Sequence, residues 1–154
     1  MSPTELEHYL RDHIPLSRAM QTSVLAVSAE SVVLRAPLGP NINHRDTVFG
    51  GSASALAILA AWSLLHVRLR QNTVPSRLVI QRNSMEYLAP MFGEFTAASS
   101  LQGPQSWGRQ LRMLERKGVA RFSVTSELYS SGTVAGRFSG EFVALPLRAA
   151  QLKR

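Results

Sequence analysis

From Thr47 to Val67 the chain runs without a single Asp, Glu, Lys or Arg. That length invites a transmembrane reading, but Gly50, Gly51, Ser52, Ser54, Ser63 and His66 interrupt it. The longest wholly apolar run, Leu56 to Trp62, covers only a fraction of a bilayer. A helix apolar on every side and too short to span lipid has to be the buried axis of a domain. What enters it is equally constraining: a polar loop, Asn41-Ile42-Asn43-His44-Arg45-Asp46, leads through Thr47-Val48-Phe49 into Gly50-Gly51-Ser52. The paired glycines let backbone approach a ligand closely. The free N–H groups of the first helical turn then point at whatever oxygen lies ahead of them. Such an arrangement can hold a carbonyl that must become an oxyanion, so the chain is a candidate enzyme.

The rest of the chain fits one domain, residues 1–146, followed by a basic tail, 147–154. With 154 residues, 45% hydrophobic and 18% charged, it can bury a sizeable core and has no disordered composition. It has no cysteine, which excludes disulfides, thiolate catalysis and zinc–thiolate sites. No metal site is expected. The N-terminal residues show no basic region leading into an apolar stretch, so a cytoplasmic protein without a membrane span is the expectation.

Period-two and period-3.6 patterns give the element order. Pro3 to His13 reads as an amphipathic helix with Leu6, Tyr9 and Leu10 on one side. Met20–Val27 and Ser31–Leu38 read as two strands around a turn at Ala29-Glu30. The central helix runs to about Arg70. Strands follow at Arg77–Tyr87 and Glu94–Leu101, then a short helix within Pro104–Gly118. A hairpin of Val119–Leu128 and Val134–Val143 turns at Ser130-Ser131-Gly132, with Phe122, Val124, Phe138 and Phe142 alternating with polar residues. A long apolar helix lying against a curved antiparallel sheet is an α+β architecture. One sheet wrapped around one helix leaves open edges, which dimerisation closes. A homodimer, or a dimer of dimers, is expected.

Charge is uneven. The net charge is +7, and Leu101 to Arg154 carries nine Lys+Arg against three Asp+Glu. A basic surface suits an acidic partner or simply solubility. On the short helix Arg109, Arg112 and Arg116 fall opposite Trp107, Leu111 and Leu114. They form either a solvated outer face or a dock for an acidic partner. Nucleic acid is not expected, because basic and aromatic residues do not interleave as in single-strand readers.

Three segments carry a resemblance: Pro40-Asn41-Ile42-Asn43, Thr47-Val48-Phe49-Gly50-Gly51-Ser52 and Tyr87-Leu88-Ala89-Pro90. Together they resemble the hotdog fold of acyl-CoA thioesterases and hydroxyacyl dehydratases. More narrowly, they resemble the bacterial "putative thioesterase" domain that also occurs fused behind an N-acetyltransferase domain. That group includes malonyl-ACP decarboxylases, which make acetyl-ACP to start fatty-acid synthesis. The resemblance spans about Leu16 to Leu145 and implies a substrate carried on the phosphopantetheine of an acyl carrier protein or of CoA, with no other cofactor. One departure stands out, because many relatives carry glycine where this chain has Asp46.

The resemblance also proposes roles. Asn43 stands where hotdog thioesterases often place a catalytic Asn or Gln, and its amide can donate to a thioester oxygen or orient a carboxylate. An Asx-turn residue is the other reading. Gly51 offers its backbone N–H to the oxyanion at the positive end of the helix. Asp46, His44 or a residue elsewhere, such as Glu86, would serve as a base, if one is needed. Asn41, Thr47, Phe49, Gly50, Ser52 and Tyr87 would contact substrate; Asn41 suits a turn better, while a cap or packing role suits Thr47 and Ser52, and core packing Tyr87, equally well. His8, His13 and His66 have no convergent partners in the sequence and receive no role. Hotdog hydrolases often carry Asp or Glu about two turns after the Gly-Gly, whereas this chain has Leu56-Ala57-Ile58-Leu59-Ala60. Losing carbon dioxide from a malonyl thioester needs no base, only a stabilised enolate oxygen, so decarboxylation is favoured over hydrolysis. Hydrolysis of an acyl-CoA or acyl-ACP, or non-catalytic binding of one, remains the alternative.

Overall fold

The computed structural model describes residues 1–101 and 107–147. Six strands form one antiparallel sheet in the order β1-β2-β4-β5-β6-β3: β1 Ser23–Val27, β2 Ser31–Ala36, β3 Ser76–Tyr87, β4 Phe95–Leu101, β5 Ala120–Ser130 and β6 Thr133–Pro146. Helix α3, Gly50–Gln71, lies in the curve of the sheet, and α1 (Pro3–His13), α2 (Pro15–Ala19) and α4 (Trp107–Lys117) flank it. This is the α+β arrangement the sequence predicts. Helix α2 is a difference: residues 15–19 coil through one turn before β1, whose first residue is Ser23 rather than Met20. Pro15 starts that turn, and Gln21, with φ 54°, reverses the chain after it. The basic tail lies outside the described residues from 148 onward, as do residues 102–106 ahead of α4.

Helix α3 forms here because its neighbours accept it on nearly every side. Leu56, Ala57, Ala60, Ala61, Leu64 and Leu65 are wholly enclosed, against Val32, Leu34, Phe95, Val124 and Phe142 from the strands. The alanines let the sheet approach closely, and Ser126 Oγ donates to the Ala57 carbonyl at 3.0 Å. The helix is long and apolar enough to cross a membrane by composition alone, yet the sheet buries most of it. The β5–β6 hairpin closes through Ser131 (φ 51°) and Gly132 (φ 75°), the left-handed pair that a two-residue hairpin requires.

Strand β3 sits at the sheet edge and runs antiparallel to α3. Tyr87, at its end, reaches Gly50 at the start of the helix, and Leu78 accepts from Trp62 Nε1 at 3.2 Å farther along. Most of β3 is exposed. Of the eight large apolar side chains left exposed among the described residues, six (Ile42, Phe49, Val79, Tyr87, Leu88 and Phe92) lie on this strand or in the segments around the helix N-terminus.

At the other end of α3 the structure joins residues that the sequence leaves unconnected. Tyr9 stacks on His13 (4.1 Å between ring centres) and on His66 (4.5 Å), and His66 stacks on Trp62 (4.6 Å). Buried against these rings, with no partner for Nε2 among the described residues, His66 is held down to about 4; nearby Arg70 and His13 add to the effect. The unfolded chain takes up that proton near 6.5 while the native state refuses it. Stability is therefore full above about pH 7.5 and declines as pH falls through 6.5 toward 4. Allowing for partial exposure, the native state should lose roughly 1 kcal/mol between pH 7.5 and 5.5, a fall of about 2–4 °C in Tm. His66→Phe keeps the stack and removes the proton, so its Tm should fall less over that range. Equal slopes for the two proteins in a thermal melt would sink this assignment.

Candidate functional site

The polar loop between β2 and α3 is held in shape almost entirely by its own amides. Asn43 Oδ1 accepts from the backbone N–H of Arg45 (2.8 Å) and Thr47 (3.2 Å), while Nδ2 donates to Thr47 Oγ1 (2.9 Å) and the Val48 carbonyl (3.4 Å). Its backbone N–H also bonds the Thr47 carbonyl at 2.8 Å. Both halves of the Asn43 amide are thus engaged within the loop, which is the Asx-turn role. To donate to a substrate, Nδ2 has to release Thr47 or Val48. Thr47 stands as the partner of Asn43 rather than as a helix cap, since α3 has no side-chain cap.

Asn41 is buried and turned away from solvent. Its Nδ2 donates to the carbonyls of Met20 (3.0 Å) and Pro37 (2.8 Å), and its own carbonyl accepts from Phe49 N–H (2.8 Å). It ties the loop to the ends of α2 and β2. The expected substrate contact is replaced by this tether, because the short turn Gly39–Asn41 tucks its last side chain inward.

His44, Arg45 and Asp46 form the exposed tip of the loop. His44 Nε2 accepts from Arg45 Nε at 3.4 Å. Asp46 sits at φ 58°, a conformation that glycine adopts freely and Asp better than most. A glycine here would adopt this turn without strain, and Asp46 is a residue that tolerates it. No hydrogen bond or ion pair of its side chain is formed among the described residues.

The loop delivers the chain to an open helix start. Phe49 N–H and Val48 N–H are taken by the carbonyls of Asn41 and Met91, and from there Gly50, Gly51 and Ser52 begin α3 without a capping side chain. Their N–H groups carry the positive end of a 22-residue helix. Tyr87 Oη donates to the Gly50 carbonyl at 3.1 Å, with its ring against the Gly50 backbone. Phe49 folds over Gly51 so closely that a Cβ there would stand 2.3 Å from its ring. Being more than half exposed, Phe49 can swing off Gly51 where Tyr87 stays anchored.

Beside this turn opens a cleft of about 310 Å³ lined by Val48, Gly50, Ala53, Tyr87, Leu88, Ala89, Pro90 and Met91. Its walls are apolar, and Tyr87 is the one ionisable side chain among them. Sequence reasoning missed Met91 and Ala53. Pro90, which ends β3, was the available signal that the chain bends back there toward Val48. Ser52 is half-buried on α3. The site therefore brings together Asn43, Thr47, Phe49, Gly50, Gly51, Ser52 and Tyr87, and leaves His44 and Asp46 at the solvent edge. Arg109, Arg112 and Arg116 are exposed on α4, remote from it. No group of three or more His, Asp or Glu able to hold a metal occurs among the described residues.

Chemically, this is an uncapped helix N-terminus beside an apolar cleft, with no carboxylate on α3. Against known proteins, the family described as "Putative thioesterase (yiiD_Cterm)" matches residues 3–146. A protein of unknown function from Chlorobaculum tepidum TLS is 26% identical with a TM-score of 0.89, over 95% of this chain and 98% of its own. The "putative thioesterase" of Shewanella oneidensis is 25% identical with a TM-score of 0.83, over 94% of this chain and 97% of its own. A "probable thioesterase" of Pseudomonas aeruginosa shares the fold at 19% identity and a TM-score of 0.78, over 93% of this chain and 95% of its own.

Proposed function

The chain belongs to the "Putative thioesterase (yiiD_Cterm)" family of hotdog-fold acyl-thioester enzymes, and from that premise we propose that it decarboxylates a malonyl thioester to the acetyl thioester. The observation that carries this reading is the pairing of uncapped α3 amides with a cleft whose walls hold no carboxylate. In the reaction, the bond between the carboxylate carbon and Cα breaks and its electron pair passes into the thioester. Carbon dioxide leaves, and the thioester oxygen becomes an enolate oxygen. The N–H groups of Gly50, Gly51 and Ser52 meet that charge as it develops. One well-aimed donor of this kind is worth roughly 3 kcal/mol, about a hundredfold or more in rate. The apolar cleft takes the acyl end and excludes the water that would solvate it. The enolate is finally protonated from solvent or from the Tyr87 hydroxyl, which stands beside the helix start.

The substrate rides on the phosphopantetheine arm of an acyl carrier protein or of CoA, and the enzyme works in the cytoplasm as a homodimer. The dimer forms along β3. Its twelve residues present an unpaired edge, a template for another strand. The exposed apolar side chains Ile42, Phe49, Tyr87, Leu88 and Phe92 continue that edge toward the cleft. Incubation with malonyl-ACP and malonyl-CoA, followed by intact mass and free thiol, tests the reading. Loss of carbon dioxide with the thioester retained is the expected result. Free thiol without loss of carbon dioxide would replace decarboxylation by hydrolysis and call for a base, for which Asp46, His44 and Glu86 are the candidates.

A further inference from the structure

The face of α4 poses a problem of reach. Arg109, Arg112 and Arg116 are exposed, and Lys117 at the end of the same helix is exposed beside them; among the described residues none of the four forms an ion pair. Glu115 is the one acidic residue on the helix. This concentration of charge complements an acidic protein. Yet α4 is fixed at the far end of the domain from the cleft. Trp107 packs at a tilt against Phe122 (4.9 Å between ring centres) and lies under the guanidinium of Arg68 (4.4 Å), near the C-terminal end of α3. Gly118, just past α4, meets Pro146, which pairs with Ser76 at the beginning of β3. From Arg68 back to Gly50 the helix axis runs about 27 Å. A phosphopantetheine arm, comparable to five residues of extended chain, spans roughly 17 Å. The way from the α4 end of the helix to the cleft of the same chain is therefore longer than the arm.

A carrier docked on α4 can serve the other chain. Because β3 runs from the α4 end of the domain to the cleft end, antiparallel pairing of two β3 strands about their midpoint sets Tyr87 beside the partner's Ser76. Helices α3 and α4 share one face of the sheet, since Trp107 meets both Arg68 and the inward-facing Phe122. The patch of one subunit then lies two to three strand spacings, about 12 Å, from Tyr87 of the partner subunit. We propose that the basic face of α4 docks an acidic carrier protein whose arm delivers its thioester into the cleft of the partner subunit. The inference rests on the acyl-thioester reading and on the β3 dimer. It makes the dimer a functional unit, because each working site then needs a patch from the other chain.

Mixed dimers test it. One subunit carries Gly51→Asp, which blocks its helix start and leaves its patch intact. The other carries Arg109→Glu with Arg112→Glu, so its own site is intact. The doubly reversed homodimer should show KM for malonyl-ACP raised at least fivefold, with the effect confined to carrier-borne substrate and weakened by salt. In the mixed dimer, purified through two tags, KM should return to the wild-type value at about half the wild-type kcat. A KM that stays raised means that patch and site act within one chain. An unaltered KM in the doubly reversed homodimer, or a monomer in sedimentation, removes the patch altogether. Turnover of S-malonyl-pantetheine by the wild type is measured alongside. If that fails while the Kd for acyl carrier protein still weakens severalfold on charge reversal, the chemistry is misassigned and the dock stands.

Discussion

Gly51→Asp should lower turnover of a malonyl thioester by two orders of magnitude or more and leave the protein folded. The position is the second residue of α3, where a carboxylate is favoured by the helix dipole and can bond the N–H groups of its own first turn. Those are the groups assigned to the enolate oxygen, so the variant fills the helix start with an anion of its own. The new Cβ has to displace Phe49, which stands in the way at 2.3 Å. Phe49 is largely exposed and can rotate outward at little cost. Gly51→Ala makes the same demand on Phe49 without supplying a carboxylate, and it isolates the steric effect. The expected order of kcat is wild type, then Ala within about tenfold, then Asp at a hundredth or below, the loss typical when oxyanion donors are removed. Thermal stability should be unchanged or higher for Asp than for Ala. Equal activity of the two variants would mean that the α3 amides do not hold the reacting oxygen.

Most of the scaffold behind this prediction is legible in the sequence, for identifiable reasons. Helix α3 declares itself by an uncharged run too long for a strand and too interrupted for a membrane span. Helix α1 declares itself by Pro3 and its apolar face, and the structure adds the reciprocal bonds between Ser2 and Glu5 that start it. The alternation along β5 and β6 holds until the bulge between Leu128 and Tyr129, past which Ala135 rather than Val134 turns inward. Helix α2 was not legible, because five residues are too few for any periodicity to show. The order of strands was not legible either: β3 crosses to the far edge next to β6, and no local pattern encodes a non-local pairing.

The site was half legible. Gly50-Gly51 before an apolar helix announces an open N-terminus, which depends only on local backbone. The cleft does not announce itself, since Val48, Ala53 and Met91 are ordinary apolar residues until the fold brings them together. Nor does the stack of Tyr9, His13, His66 and Trp62, whose members come from two helices. The two asparagines show the limit most plainly. The sequence cannot tell a side chain that faces substrate from one that binds the chain's own carbonyls. Asn41 reaches Met20, remote in sequence, and is tethered inward; Asn43 closes a turn on its immediate neighbours.

For Asn43 the arrangement makes two readings separable. Asn43→Ala removes two acceptor bonds from the loop backbone and the donor bonds to Thr47 and Val48. Bonds of this kind contribute about 0.5–1.5 kcal/mol each when partly buried, less where solvent replaces them. If Asn43 acts by shaping the loop, Tm should fall by about 3–8 °C for a loss of about 2 kcal/mol in a domain of this size. Turnover should drop by two to three orders of magnitude together with it, because Thr47, Val48 and Phe49 lead directly into the helix start. Asn43→Asp then discriminates. It keeps both acceptor bonds, and Thr47 Oγ1 can reverse to donate, so the loop survives while the amide donor is lost. With the loop role, Asn43→Asp recovers most of the lost Tm and at least tenfold of the lost turnover. Recovery of Tm without turnover would show that Nδ2 leaves Thr47 to donate to the substrate, and that its bonds within the loop are the resting state of a catalytic amide.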